Sequence, residues 1–105
     1  VPSEAIKAGK SKEGLFSLRK LRGNRNIIIF FAEGCNVCDA EKAAARELAA
    51  SDRKVRVLFV NVDRIVASDP SLADRLFNAF DLSTLPFIIE TDKKGRVLHR
   101  YVSLQ

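Results

Sequence analysis

The sequence lacks tryptophan and methionine, and its 105 residues include only two cysteines and one histidine. Two cysteines are too few for the disulfide scaffold that stabilises many small secreted domains. The longest apolar run, 27–32, has six residues, whereas a membrane-spanning helix requires about 20. Because 47% of the residues are hydrophobic and seven phenylalanines are spread along the chain, the composition argues against disorder. We therefore expect one globular domain with its own hydrophobic core.

Acidic residues are scarce in the first quarter of the chain. Residues 1–25 contain seven Lys and Arg but only two Glu, whereas residues 26–105 contain 11 basic and 11 acidic side chains. A basic arm can contact an acidic partner, nucleic acid or anionic lipid. Glycine and serine interrupt this one, and it has no aromatic series for stacking bases. We interpret residues 1–14 as a solvated extension of a domain at 15–105, and expect no nucleic-acid partner and no membrane contact.

The first half of the domain predicts a strand, a helix and a second strand. Ile27–Phe31 is a β-branched and aromatic run, typical of a strand buried on both faces. Residues 36–50 include six alanines together with Glu41, Lys42 and Leu48, a composition that predicts a helix. Its buried face is expected at positions three, four and four residues apart, namely Val37, Ala40, Ala44 and Leu48. Val55–Val62 predicts a second strand, parallel to the first through a right-handed crossover, and Asp63 is interpreted as a turn or capping residue.

The second half of the domain predicts a helix and a hairpin. Ser71 and Asp74 have the spacing of a helix-starting capping box. The apolar face of the helix that follows is expected at Leu72, Leu76, Phe77 and Phe80. Strands are predicted over Phe87–Glu90 and Arg96–Val102, and the tight turn between them makes the pair antiparallel. The predicted order is β-α-β-α-β-β, an α/β fold with a central mixed sheet flanked by helices.

Both cysteines lie where the first strand meets the first helix, in the motif Cys35-Asn36-Val37-Cys38. Positions i and i+3 share a helix face, so the two sulfurs can form a disulfide with little movement. Cys35 is placed at the helix N-terminus, where unpaired amides and the helix dipole favour negative charge. This environment lowers the pKa of a thiol and produces a thiolate at neutral pH. We therefore predict that Cys35 is the attacking nucleophile and Cys38 the resolving thiol.

Other uses of a cysteine pair fit less well. A zinc site needs about four ligands, which leaves only a site shared between two chains. Covalent haem attachment would place histidine directly after Cys38, where the sequence has Asp39. A purely structural disulfide across so short a loop would stabilise the fold only slightly. We expect no metal at these residues.

Three stretches resemble the thioredoxin superfamily. They are the strand 27–32 leading into Cys35–Cys38, the segment Val60–Asp63, and the segment Thr84–Ile89. The resemblance implies a thioredoxin-like fold and a cis peptide bond between Leu85 and Pro86. That bond would bring the Leu85 backbone beside Cys35, where it could pair with a substrate chain. Substrate contact is accordingly expected at Gly34, Asn36, Val37, Leu85 and Pro86.

A narrower resemblance is to extracytoplasmic thiol–disulfide oxidoreductases of the TlpA/ResA type. Residues 16–24 are similar to the segment that leads into their first strand, and Glu41 matches a glutamate near their active dithiol. The resemblance implies that Glu41 assists proton transfer to Cys38, and their i,i+3 spacing permits it. The alternative is that Glu41 is an ordinary solvent-facing glutamate.

Three positions depart from the superfamily pattern. Gly34 replaces a tryptophan, Val37 replaces a proline, and Ile29 stands at the position of a buried acid. The missing side chain at Gly34 is expected to make the cysteines more accessible. The departures leave the expected fold unchanged, but they leave the redox potential and the direction of electron flow open.

The sequence thus predicts a protein thiol–disulfide oxidoreductase. The dithiol is its own redox group, so no cofactor is expected, and the partners are protein or peptide thiols and disulfides with an electron donor or acceptor. The alternative is a binding module with an incidental dithiol, using the Leu85 and Phe87 surface or the basic extension. We expect a monomer. Because the chain begins at Val1 and has the lead-in just described, we expect a processed extracytoplasmic protein, although a cytoplasmic one would have the same cysteine content.

Overall fold

The computed structural model describes residues 24–80 and 84–105. They form four strands, which are β1 (Arg25–Phe31), β2 (Val55–Asn61), β3 (Phe87–Thr91) and β4 (Val97–Tyr101). They also form three helices, which are α1 (Asn36–Ser51), α2 (Val62–Ser68) and α3 (Pro70–Ala79). The predicted boundary between residues 14 and 15 lies outside the described residues. None of the helices in the two described stretches is long and apolar enough to cross a membrane.

The strands form one mixed sheet in the order β2-β1-β3-β4. β1 is parallel to β2 and antiparallel to β3, and the closing hairpin pairs β3 with β4. The register aligns Phe30 of β1 with both Val60 of β2 and Phe87 of β3. The predicted α/β fold and mixed sheet are therefore confirmed. Both β2 and β4 are edge strands of the sheet that the described residues form.

β1 is the centre of the molecule because its side chains are buried on both faces. Ile28 and Phe30 pack into a core with α2, α3 and the start of β3. In that core the Phe30, Phe80 and Phe87 rings lie 5.4–6.0 Å apart, a normal spacing for aromatic packing. Ile27 and Ile29 pack into a second core beneath α1. The unbroken apolar run in the sequence is explained by this two-sided burial.

The buried face of α1 differs from the prediction. The helix buries Cys38, Glu41 and Ala45, whereas Val37 is 61% exposed. The predicted face of Val37, Ala40, Ala44 and Leu48 is therefore wrong by about one position, although Leu48 still packs at the edge of the core. The error has a physical reason, because one of the three positions facing the sheet holds a glutamate, which the hydrophobic pattern assigns to solvent.

The connection from β2 to α3 contains a helix that the sequence analysis did not predict. β2 ends at Asn61, and α2 begins with Val62. The Asn61 side chain accepts a hydrogen bond from the backbone N–H of Arg64 at 3.1 Å, which caps α2. The predicted strand Val55–Val62 is one residue too long, because Val62 has a β-branched side chain but is the first residue of α2.

The start and the apolar face of α3 also require correction. Asp69, and not Ser71, is the N-cap, and its carboxylate accepts a hydrogen bond from the Leu72 N–H at 3.1 Å. Proline follows at the first helical position, where its missing N–H costs nothing. Phe77, predicted in the core, is 42% exposed. Leu72, Leu76 and Phe80 form the buried face as predicted.

Candidate active site

Cys35 and Cys38 form a disulfide at the N-terminus of α1, with their Cα atoms 5.3 Å apart. Cys35 is the N-cap residue, with extended backbone angles of φ −87° and ψ 100°. Its sulfur accepts a hydrogen bond from the Cys38 N–H at 3.2 Å. The sulfur of Cys35 thus occupies the position at which a helix N-terminus stabilises negative charge.

The two sulfurs differ in access to solvent. Cys38 is 1% exposed, whereas Cys35 is only partly buried. Because exchange requires a thiolate to approach one sulfur, Cys35 is the sulfur of this disulfide that is accessible from solution. A groove of about 230 Å³ opens beside it, lined in part by Phe31, Asp39 and Lys42.

The loop that carries Cys35 is tied to the end of β2. The Glu33 N–H donates to the Asp63 carboxylate at 3.0 Å, and the Asn61 amide donates to the Glu33 carboxylate at 3.4 Å. Gly34 has φ +74°, a conformation that favours glycine. A Cβ at this position would meet no atom within 4 Å, so the backbone conformation and not crowding demands glycine.

Asn61 and Asp63 are site-positioning residues that the sequence analysis missed in that role. The sequence alone indicates only a turn or capping residue at Asp63. The available signal was a pair of polar residues at the carboxyl end of a strand parallel to β1, because the carboxyl ends of neighbouring parallel strands lie side by side.

The residues predicted to contact substrate fall into two groups. Gly34, Asn36 and Val37 are exposed around Cys35. Leu85 and Pro86 are half-buried and precede β3, and the peptide bond between them is cis. Since Phe87 pairs with Phe30, β3 begins beside the end of β1 that leads to Cys35. The two groups therefore lie at the same end of strands β1 and β3. Their contact with substrate stays a prediction.

Glu41 is not the solvent-facing residue of the alternative interpretation, since it is only 2% exposed. Its carboxylate accepts hydrogen bonds from Ser103 Oγ at 2.5 Å, the Leu104 N–H at 2.7 Å and Gln105 Nε2 at 3.1 Å. Burial alone would raise the pKa of Glu41, but these three donors outweigh it and hold the pKa below its ordinary value. These hydrogen bonds connect α1, which carries the disulfide at its N-terminus, to residues 103–105. No local sequence pattern predicts this contact.

No group of three or more His, Cys, Asp and Glu side chains within residues 24–80 and 84–105 is arranged to hold a metal ion. The single histidine, His99, is exposed on β4.

Comparison with known proteins agrees with this geometry. Solved structures with the same fold include thioredoxin-2 of a malaria parasite, described as a component of the parasite's protein secretion machinery. It is 25% identical, covers 78% of this chain and 72% of its own, and has a TM-score of 0.58. The thioredoxin domain of a thiol–disulfide oxidoreductase from Bacteroides vulgatus is 14% identical, with coverages of 82% and 75% and a TM-score of 0.64.

Thioredoxin from Fasciola hepatica is 17% identical, with coverages of 84% and 76% and a TM-score of 0.61. No curated protein matches the sequence. These structures share the mixed sheet and its flanking helices with this chain, so membership of the thioredoxin superfamily is confirmed, while the TlpA/ResA likeness stays a resemblance. The sequence model of the TraF family, described as F plasmid transfer operon protein, matches residues 3–99, and the chain therefore belongs to the TraF family.

Proposed function

We propose that the protein exchanges its Cys35–Cys38 disulfide and dithiol with cysteines of substrate proteins through a mixed disulfide. The observation that carries the proposal is the unequal access of the two sulfurs. Cys35 faces a groove at a helix N-terminus, whereas Cys38 is buried one turn further along α1. An accessible nucleophile followed by a protected second thiol is the arrangement that sequential exchange requires.

In the reducing direction, the Cys35 thiolate attacks one sulfur of a substrate disulfide. A Cys35–substrate disulfide forms, the substrate S–S bond breaks, and the released substrate thiolate takes up a proton. The Cys38 thiol then loses its proton and attacks the Cys35 sulfur, which releases the second substrate thiol. The substrate has gained two electrons from the dithiol and two protons, one from solvent and one equivalent to that released by Cys38, and Cys35–Cys38 is oxidised. The same steps in reverse oxidise a substrate dithiol.

Glu41 remains the proposed aid to the Cys38 proton, because it lies one turn away on the same buried face of α1. Its lowered pKa means that the carboxylate is ionised at neutral pH, and a donor from residues 103–105 must move away before an oxygen can accept that proton. The proposal needs no cofactor and treats the protein as a monomer. Its partners are protein or peptide thiols and disulfides and a thiol-based electron donor or acceptor. We also propose an extracytoplasmic location. It is compatible with the TraF family, which is described as F plasmid transfer operon protein.

The decisive test compares Cys38→Ser with Cys35→Ser. Each reduced variant is incubated with a disulfide-linked peptide, quenched by alkylation and weighed. We expect Cys38→Ser to accumulate a mixed disulfide, because the resolving thiol is missing, while Cys35→Ser accumulates little, because its remaining thiol is buried. Equal trapping by the two variants would contradict the assigned roles.

A redox titration of the wild-type pair in graded glutathione buffers tests the activity itself. We expect one two-electron transition between about −300 and −120 mV. Known exchange proteins fall in this range, and purely structural disulfides lie below it. A pair that stays fully oxidised or fully reduced across this range is unsuited to exchange. That result would favour the alternative function, a partner-binding module whose dithiol is incidental.

A further inference from the structure

A band of basic side chains runs along α1 and β2, away from the disulfide. Arg46, Arg53 and Arg56 border a groove of about 560 Å³ whose walls include Val57 and Phe59. Phe59 also lines a neighbouring cavity that reaches Phe31, and Phe31 in turn lines the groove beside Cys35. The three depressions share these two phenylalanines, and we name the set, from Cys35 to Arg56, the basic furrow.

The cations of the basic furrow have no anionic partners in the described part of the chain. The ion pairs found there involve only Arg25 and Arg96. Lys42 Nζ lies 4.0 Å from the centre of the Phe31 ring, and the Arg46 guanidinium lies 4.9 Å from that of Phe59. These positions are cation–π contacts, which hold the charges at the furrow wall without neutralising them.

We propose that the basic furrow receives an acidic segment of the substrate protein whose cysteine reacts at Cys35. Guanidinium groups form bidentate bonds with carboxylates, and the apolar walls at Val57 and Phe59 can cover aliphatic or aromatic side chains between them. The identification of the occupant as a substrate rests on the proposed function, whereas the binding surface itself does not.

Charge and packing favour a protein occupant over the alternatives. Residues 1–24 of the chain itself carry six Lys and Arg against two Glu, so the same electrostatics disfavour them as the occupant. Single-stranded nucleic acid needs free aromatic faces on which bases stack. In the basic furrow Lys42 and Arg46 cover faces of Phe31 and Phe59.

The geometry also predicts the spacing between the substrate's cysteine and its acidic segment. Arg46 lies 11 positions after Cys35, which corresponds to about 16 Å along a helix at ~1.5 Å per residue. An extended peptide spans this distance in about five residues, at ~3.3 Å each. Nearer the disulfide, Glu33 and Asp39 line the groove, and their carboxylates repel acidic residues adjacent to the substrate cysteine.

Binding is tested first, with the oxidised protein and labelled peptides that have serine in place of cysteine. One peptide has glutamates about five residues from the serine on both sides, a second has them adjacent to it, and a third has glutamine throughout. By fluorescence anisotropy we expect the first to bind about tenfold more tightly than the other two, because several exposed ion pairs each contribute a small factor.

The variant Arg46→Gln/Arg53→Gln/Arg56→Gln is expected to lose that preference. Its matched control, Arg75→Gln/Lys93→Gln/Lys94→Gln, removes the same charge from exposed positions on α3 and the β3–β4 turn and should keep it. Equal binding of the three peptides, or equal loss in both variants, overturns the inference. A single-stranded oligonucleotide that binds more tightly than the acidic peptide, with the same dependence on the three arginines, overturns it in favour of nucleic acid. A dimer that dissociates only in the first variant overturns it in favour of a second copy of the chain.

Exchange is then measured with the matching cysteine peptides and the reduced protein. Faster exchange with the spaced acidic peptide, lost in the furrow variant, supports the assignment of the furrow to substrates. Exchange at one rate with all three peptides removes that assignment and leaves the proposed function intact. Absence of exchange with any peptide removes the proposed function, while the anisotropy result still decides whether the furrow binds acidic segments.

Discussion

Two buried glutamates stabilise the molecule in different ways. Glu41 on α1 and Glu90 on β3 are 2% and 3% exposed, and the pKa of each is lowered. Glu90 is held by a cation, since Arg25 donates from Nε at 3.1 Å and from Nη2 at 3.0 Å, and Tyr101 adds its hydroxyl at 2.7 Å. Within residues 24–80 and 84–105, the donors to Glu41 are the neutral groups of residues 103–105.

The two glutamates differ in whether their partners belong to the sheet. Arg25 joins the start of β1 to β3, so the pair with Glu90 is built into the sheet and lasts as long as the fold does. The donors to Glu41 lie on a short segment outside the sheet, and their release would expose a charge on the buried face that also bears Cys38. The Glu41 carboxylate can therefore lose its donors while the sheet stays intact, whereas the Glu90 carboxylate cannot.

The largest effect is expected from Arg25→Ala, which leaves the Glu90 carboxylate buried without its cation. Loss of one partner of a fully buried pair costs about 3–5 kcal/mol. Arg25 is itself 39% exposed, so we expect a loss of about 2–3 kcal/mol in the free energy of unfolding, measured by urea denaturation. The control Arg75→Ala removes an exposed arginine of α3 and should change stability by less than about 0.5 kcal/mol. Similar losses in both variants would show that Glu90 does not depend on Arg25.

A smaller effect is expected from Ser103→Ala, which removes one neutral donor from Glu41. Hydrogen bonds to charged groups contribute about 1.5–3 kcal/mol, and Ser103 is exposed, so the lower end of that range applies. The same denaturation measurement on Ser71→Ala provides the control. Because Asp69 caps α3, replacing Ser71 should cost less than about 0.5 kcal/mol. A larger loss at Ser71 than at Ser103 would contradict both the capping correction and the importance of the 103–105 contact.

The smallest effect concerns the pH dependence of that same variant. The folded-state pKa of Glu41 is lowered, so its contribution is complete above the ordinary glutamate pKa of about 4.3 and is lost as the pH falls through the folded-state pKa. Ser103→Ala brings the folded-state pKa closer to the ordinary value. The difference in free energy of unfolding between wild type and Ser103→Ala should therefore become smaller when the pH is lowered from neutral to below the folded-state pKa. The decrease should be less than about 1 kcal/mol. A difference that stays constant or widens would show that Ser103 does not act on the ionised carboxylate.

Much of the architecture could be predicted because its signals are local. The apolar run at Ile27–Phe31 marks a strand buried on both sides, and the turn before Arg96 marks the closing hairpin. The position of Cys35 at the start of α1 follows from the same reasoning, since a strand ends and a helix begins around Gly34. The fold and the disulfide were therefore accessible from sequence.

The remaining features depend on contacts between distant parts of the chain. Residues 103–105 supply the donors that satisfy the buried Glu41 carboxylate, and the buried face of α1 is therefore displaced by about one position from the expected one. Asn61 ends β2 through a side-chain cap, which a β-branched pattern does not register. The hydrogen bond from the Glu33 N–H to Asp63 connects the loop before Cys35 to the first turn of α2, 30 residues away. Periodicity within one element contains no information about such pairings.

The hydrogen bond from Tyr101 to Glu90 has a spectroscopic consequence. Tyr101 is the only tyrosine and the chain has no tryptophan, so its near-ultraviolet emission comes from one phenol. The hydrogen bond to Glu90 raises the pKa of that phenol, and burial adds to the effect. The protein thus contains an intrinsic fluorophore whose alkaline titration reports on the ion pair of Arg25 and Glu90, without any label near the cysteines.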